Sequence, residues 1–250
     1  MRNLLFAGAA LAALSAAPAA HAAFLVTYEA PGVLNTTATF DFKGVETFDG
    51  RASGSFTTSF GTTGQDTVVT GSYTGVTINN ADQYGGATND RYAAASATTG
   101  YTLGLSALSG GAAAPVTYFG YWLSALDRGN QLEILRAGNV VFSFSPADVL
   151  AAIGLCPGSY CGNPVSGPNK GNNGGEPYVF VNFFDQSGVG FDSVRFFESP
   201  EVGGYESDNH TVGFFRTTSG TPVPEPASLA LFGSGLLGLM AARRRAARAA

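Results

Sequence analysis

Between Thr39 and Ile78, aromatic and β-branched residues alternate with small polar ones, and this period of two restricts the fold more than any other feature. Thr39-Phe40-Asp41-Phe42, Ser55-Phe56-Thr57 and the run from Asp66 to Ile78 (DTVVTGSYTGVTI) all carry it. Successive side chains of a strand point to opposite faces, so such a run has one wet and one buried face. That is the mark of half-buried antiparallel strands. Glycine pairs at Gly85-Gly86 and Gly110-Gly111 fall between the runs, and neither a helical period nor an internal repeat shows in this half.

From Val116 the strand-like runs turn more apolar: VTYFGYWLSAL, QLEILRAGNVVFSFS, YVFVNFF, FDSVRFFES and HTVGFFRTT. Arg136-Ala137-Gly138-Asn139 reads as a hairpin turn between two of them. Ser145-Pro146-Ala147-Asp148 predicts a helix start, with Ser145 as N-cap, proline in the first position and an acid three residues after the cap. Gly154 ends the segment. A long Gly, Asn and Pro-rich loop runs from Cys156 to Glu176, of the kind that is functional or mobile in a compact domain. These elements predict an all-β fold: an antiparallel two-sheet sandwich, jelly-roll-like, with one short helix.

The two ends predict export. Arg2 precedes an apolar run from Leu4 to Leu14, and Ala20-His21-Ala22 supplies the small-x-small pattern that signal peptidase accepts. Residues 1–22 are therefore expected to be a signal peptide for general secretion, since a single arginine does not make a twin-arginine signal. At the other end, 227–242 is uncharged and mostly apolar, followed by a basic stretch over 243–248 that includes Arg243, Arg244, Arg245 and Arg248. Sixteen residues make a helix of roughly 24 Å, a short transmembrane span that snorkelling arginines and a thinned bilayer can accommodate. Positive charge marks the cytoplasmic side, which leaves the body of the protein outside the inner membrane.

Val223, Pro224, Glu225 and Pro226 stand just before that helix, and prolines on both sides of Glu225 favour an extended, accessible backbone. Tripeptide, short apolar helix and arginine cluster together resemble the PEP-CTERM sorting signal over the segment 221–250. The resemblance implies that an exosortase, a membrane-embedded cysteine transpeptidase-like enzyme, cuts near the tripeptide and discards the helix. The partners expected are signal peptidase, the exosortase, the inner membrane in transit and exopolysaccharide at the destination. The alternative is an ordinary anchor that is never cut. Within the body, 23–220, the second half resembles an ectodomain of other exosortase-dependent surface proteins. Its residues are Phe119-Gly120-Tyr121-Trp122 running to Asp127 and Asn130, Tyr178 to Phe184, Phe191, and Glu206 to His210. No catalytic role comes with that likeness.

Once both ends are removed, eight basic residues face seventeen acidic ones, a net charge near −9. Such a surface disfavours nucleic acid, and binds anionic polymers only where divalent cations bridge. Cys156 and Cys161, the two cysteines of the chain, are expected to pair in an oxidising compartment and pin their loop. Their spacing matches neither a CxxC redox pair nor a full zinc site.

Glu206, Asp208 and Asn209 read as a polar turn before the last strand. Their oxygens could wrap a weakly bound Ca²⁺ with Asp127 as a distant ligand, or they could bond their own backbone. No other cofactor is expected. Glu133 with Glu198, or Asp185 with Asp192, would serve glycoside hydrolysis only if brought within about 5–9 Å. His210 has no local nucleophile motif and reads as a turn residue. One face of the strand bearing Tyr118, Phe119, Tyr121 and Trp122 is expected in the core, with the other available to stack on sugars. The expected function is a non-enzymatic surface or matrix protein. A carbohydrate-binding adhesin is the alternative, and a polysaccharide-degrading enzyme the third reading.

Overall fold

The computed structural model describes residues 24–62, 67–95, 100–201 and 203–224. The expected signal peptide, and everything from Glu225 onward with Pro226, the helix 227–242 and Arg243, Arg244 and Arg245, lie outside them. Among the described residues, no helix is long and apolar enough to cross a membrane.

The strands are β1 (Phe24–Tyr28), β2 (Thr39–Glu46), β3 (Gly54–Thr62), β4 (Thr67–Asn80), β5 (Arg91–Ala95), β6 (Tyr101–Ser109) and β7 (Ala112–Ala113). They continue as β8 (Tyr118–Ser124), β9 (Asn130–Arg136), β10 (Asn139–Phe144), β11 (Val179–Asp185), β12 (Ser193–Glu198), β13 (Tyr205–Thr217) and β14 (Thr221–Pro222). Every pairing is antiparallel, as the alternating runs predicted. The strands form one continuous network in the order β10-β9-β12-β6-β4-β5-β13-β8-β11-β1-β14, with β2 beside β13, β3 beside β4 and β7 beside β6.

This sheet curls at β4. Residues Thr67–Thr74 of that strand pair with β6, whereas Thr77–Asn80 pair with β5. Gly75 stands between the two stretches at φ 77°, a backbone conformation that β-branched residues avoid. The curl brings the face of β8 and β11 that carries Phe119, Tyr121 and Phe183 onto β6, β9 and β12, with Tyr101, Ile134 and Phe196. Phe196 lies 5.8 Å from the rings of both Phe119 and Tyr121.

The outer face of β8 and β11 is covered as well. Trp122, Tyr178 and Phe180 form a second cluster with Ala87, Ala125 and Val165. Tyr118 packs edge-on against Phe40 at 4.8 Å and tilted against Phe184 at 5.0 Å. The expectation that one face of this strand is open to sugars is therefore corrected, because Tyr118, Phe119, Tyr121 and Trp122 are all buried. The loop between Cys156 and Glu176 contributes Val165 to this cover, and main-chain bonds such as Asn163 N–H to Asn172 O (2.8 Å) hold it in shape.

The hairpin at Ala137-Gly138 is present, with both residues at positive φ as a tight primed turn requires. The helix α1 (Ala147–Ile153) is also present and ends at Gly154. Its cap is Pro146 rather than Ser145, and no side chain caps it.

Candidate functional site

The segment from Glu206 to His210 is not a turn before the last strand. It lies inside β13, which pairs with β5 through Tyr205–Ser207, with β8 through Glu206–Asp208 and Thr211–Gly213, and with β2 from His210 onward. A bulge between Asp208 and Thr211 places Asn209 at φ 49°. A bulge adds one residue to a strand and so resets which side chains face the core. Tyr205 and Ser207 point inward before it, and His210 and Val212 after it. Asn209 tolerates the left-handed backbone and donates from Nδ2 to Leu34 O at 2.7 Å.

The candidate calcium set is thereby divided. Asp208 is fully buried, its Oδ2 accepting from Ala87 N at 2.6 Å and its Oδ1 from Asn209 N at 2.6 Å. Burial pushes its carboxyl well above the usual range, and the two backbone bonds pull the other way. Asn209 is turned to Leu34, and Glu206 alone of the three opens onto a surface cleft. Among the described residues, no group of three His, Cys, Asp or Glu side chains is placed to hold a metal ion.

The cleft encloses about 420 Å³ and is lined by Tyr84, Ala125, Asp127, Glu176, Glu206 and the glycines 203 and 204. Asp127 sits in the turn after β8, Glu176 at the end of the long loop, and Glu206 on β13. Asn130 fixes their relation: its Oδ1 accepts from Asp127 N at 2.6 Å and its Nδ2 donates to Gly204 O at 2.8 Å. A Cβ on Gly203 would collide with the Asp127 carboxylate, and one on Gly204 with that of Glu206. Burial, with Glu176, Asp127 and Asp82 adding charge, pushes Glu206 up to about 8. Burial and then Glu176 push Asp127 up to about 6. Near neutral pH Glu206 is thus a carboxylic acid able to donate, beside an Asp127 carboxylate able only to accept. A second pocket of about 180 Å³ adjoins it, sharing Asp127 and Glu176 and including the exposed Leu155. Asp127 was legible in the sequence; Tyr84 and Glu176 were not, since they arrive from separate loops with no motif.

The remaining candidates are placed in the core or apart. His210 lies among aromatic rings with Nδ1 3.1 Å from Tyr73 Oη and Nε2 3.0 Å from Ser207 Oγ, and burial lowers it to about 3. It is a core residue, not a turn residue. Glu133 stands opposite Arg195 in the β9–β12 ladder, whereas Glu198 stands opposite Asn130, three residues along. At about 3.3 Å per residue that is roughly 10 Å of strand. Asp185 accepts from Ser187 and Gly190 and faces Arg136 at 3.5 Å, and Asp192 accepts from Ala137 N at 2.8 Å. Asp185 is thus held by the turn that follows it, and Asp192 by the β9–β10 hairpin.

Cys156 and Cys161 are bridged, with Cα atoms 5.6 Å apart, and Cys161 also bridges to Pro177 at the entry to β11. Val223 is half-buried and donates its N–H to Val26 O at 3.0 Å; Pro224 is exposed.

Residues 222–245 match the family model of the PEP-CTERM protein-sorting motif. The chain is by its tail a PEP-CTERM protein, the role of exosortase substrate follows from that family, and the motif implies sorting of an exported surface protein. No curated protein and no solved structure matches the chain.

Proposed function

We propose, from the sorting motif that closes this chain, that it is a non-enzymatic surface or matrix protein retained with exopolysaccharide once an exosortase has cut its tail. The observation that carries this reading is the match over 222–245 behind an acidic body. A non-enzymatic role is supported by the fate of the candidate groups. The Ser207–His210 contact is fully buried, Glu133 is paired with Arg195, and Asp185 and Asp192 accept from main-chain N–H groups of different turns. The jelly-roll-like sandwich remains our description of how the sheet closes, supported by the shared core of its two halves. Calcium bridging to anionic polymer is kept as a proposal on the net negative charge alone.

The cleft favours a second reading, a carbohydrate-binding module. Its volume lies in the range of small-ligand sites, and Tyr84 offers a ring beside three carboxyl groups that match sugar hydroxyls. Cell fractionation tests the first reading: the protein should leave with the matrix when the polysaccharide is digested, and stay in the inner membrane when the exosortase is deleted. Glycan arrays test the second. Binding that Tyr84→Ala and Glu206→Gln each weaken at least tenfold favours the module, and an array without signal removes it.

A further inference from the structure

The stem that leads into the sorting tripeptide is already the edge strand of the folded body. β14 pairs with β1 in the register Thr27↔Pro222 and Tyr28↔Thr221, and Val223 N–H extends the ladder to Val26 O at 3.0 Å. Ahead of it, Ser219 is tied three ways. Its carbonyl accepts from Thr27 Oγ1 at 2.6 Å, its Oγ donates to Glu29 Oε1 at 2.5 Å, and it meets Thr36 Oγ1 at 3.3 Å. Glu29 is itself buried and accepts from Thr37 and Asn182, so this anchor belongs to the core and not to a loose surface contact. Gly220 is at φ 78°, and a Cβ there would come within 2.7 Å of Tyr28 O, closer than a side chain can approach.

Pro224 follows this zipped stem at once. Enzymes that cut or transfer extended peptides hold the residues around the scissile bond by their main-chain groups, as an added strand. Here β1 already holds the inward side of that main chain, through the pairs Tyr28↔Thr221 and Thr27↔Pro222 and the bond from Val223 N–H. From Val223 to Pro226 the chain reaches only about 10 Å when extended, too little for an enzyme to grip the tripeptide clear of the body. β1, which holds the stem, starts at Phe24, two residues past the expected signal-peptidase cut.

We infer that β1 and the exosortase compete for the same stem, and that Ser219–Val223 must unzip from β1 before the tail is cut. The stem is thus part of the sorting signal, setting the rate of release. This rests on the sorting reading above.

The test uses the full chain in an exosortase-bearing host, following loss of the tail by mass spectrometry over time. A disulfide across the facing pair, Tyr28→Cys with Thr221→Cys, should slow cutting at least tenfold, while each single substitution is cut at the wild-type rate. Six Gly/Ser residues inserted between Val223 and Pro224 of the stapled protein should restore cutting. In the other direction, Ser219→Ala should speed it several-fold, which covers the case in which the stapled protein fails to fold. Equal rates for the stapled and single variants, or for Ser219→Ala and wild type, overturn the inference. A wild-type tail that is never cut where the exosortase is active overturns the sorting reading instead.

Discussion

Ser207 Oγ and His210 Nε2 lie 3.0 Å apart in the core, although they stand three positions apart on one strand. In a regular strand, residues three apart face opposite sides. The bulge at Asn209 brings them to the same side, where Tyr101 Oη (2.7 Å from Ser207 Oγ) and Tyr73 Oη complete the polar cluster. A serine beside a histidine is here a way to satisfy a buried imidazole.

That burial predicts a histidine that does not titrate at physiological pH. His210 is the one histidine left once residues 1–22 are removed, so its imidazole signals in NMR are unambiguous. They should stay in the neutral position down to below pH 5, because burial lowers the group to about 3. Between that value and its ordinary 6.5, the unfolded chain takes up a proton that the folded protein refuses, so stability falls as pH drops through the window. A midpoint near 6.5 in the folded protein would contradict this placement.

Glu206 works in the opposite sense. Its folded value, about 8, lies above the ordinary 4.5, so between these the folded protein keeps a proton that the unfolded chain releases. Its contribution is full below pH 4.5, declines across the window and is lost above about 8. Glu206→Gln should be the more stable protein at pH 9 by about 2 kcal/mol, with little difference at pH 4. Urea melts at the two pH values measure it, and an equal gap at both would refute it.

Asp208→Ala should destabilise the fold by about 1–3 kcal/mol, because it leaves the buried Ala87 N–H without a partner. The loss should be the same with millimolar calcium and with chelator. A wild-type melting temperature that rises with calcium, and a rise that Asp208→Ala abolishes, would restore the calcium reading of this segment.

Cys156 and Cys161 should resist alkylation in the folded protein and react only after reduction. Replacing both with serine should cost about 2 kcal/mol, the chain-entropy value for so short a loop. Because Cys161 adjoins Pro177 and the loop covers Trp122, amide exchange should quicken first at Tyr178 and Val179. Uniform quickening across the sheet would argue that the bridge acts through the unfolded chain alone.

The sequence by itself determined the antiparallel strands, the Ala137-Gly138 hairpin, the disulfide and the sorting tail, since each is written in a local period, a turn pair or a contiguous motif. Asp127 and Glu206 were also visible as candidates. What only the tertiary structure decided is where those residues face. A single left-handed residue, Asn209, resets the parity of β13 and sends His210 inward. The long loop, which has no period of its own, closes over Trp122 and removes a sugar platform that alternation alone had left open. Tyr84, Asp127, Glu176 and Glu206 share one cleft because three separate connections converge there, and convergence of distant segments leaves no mark on the spacing of residues along a chain.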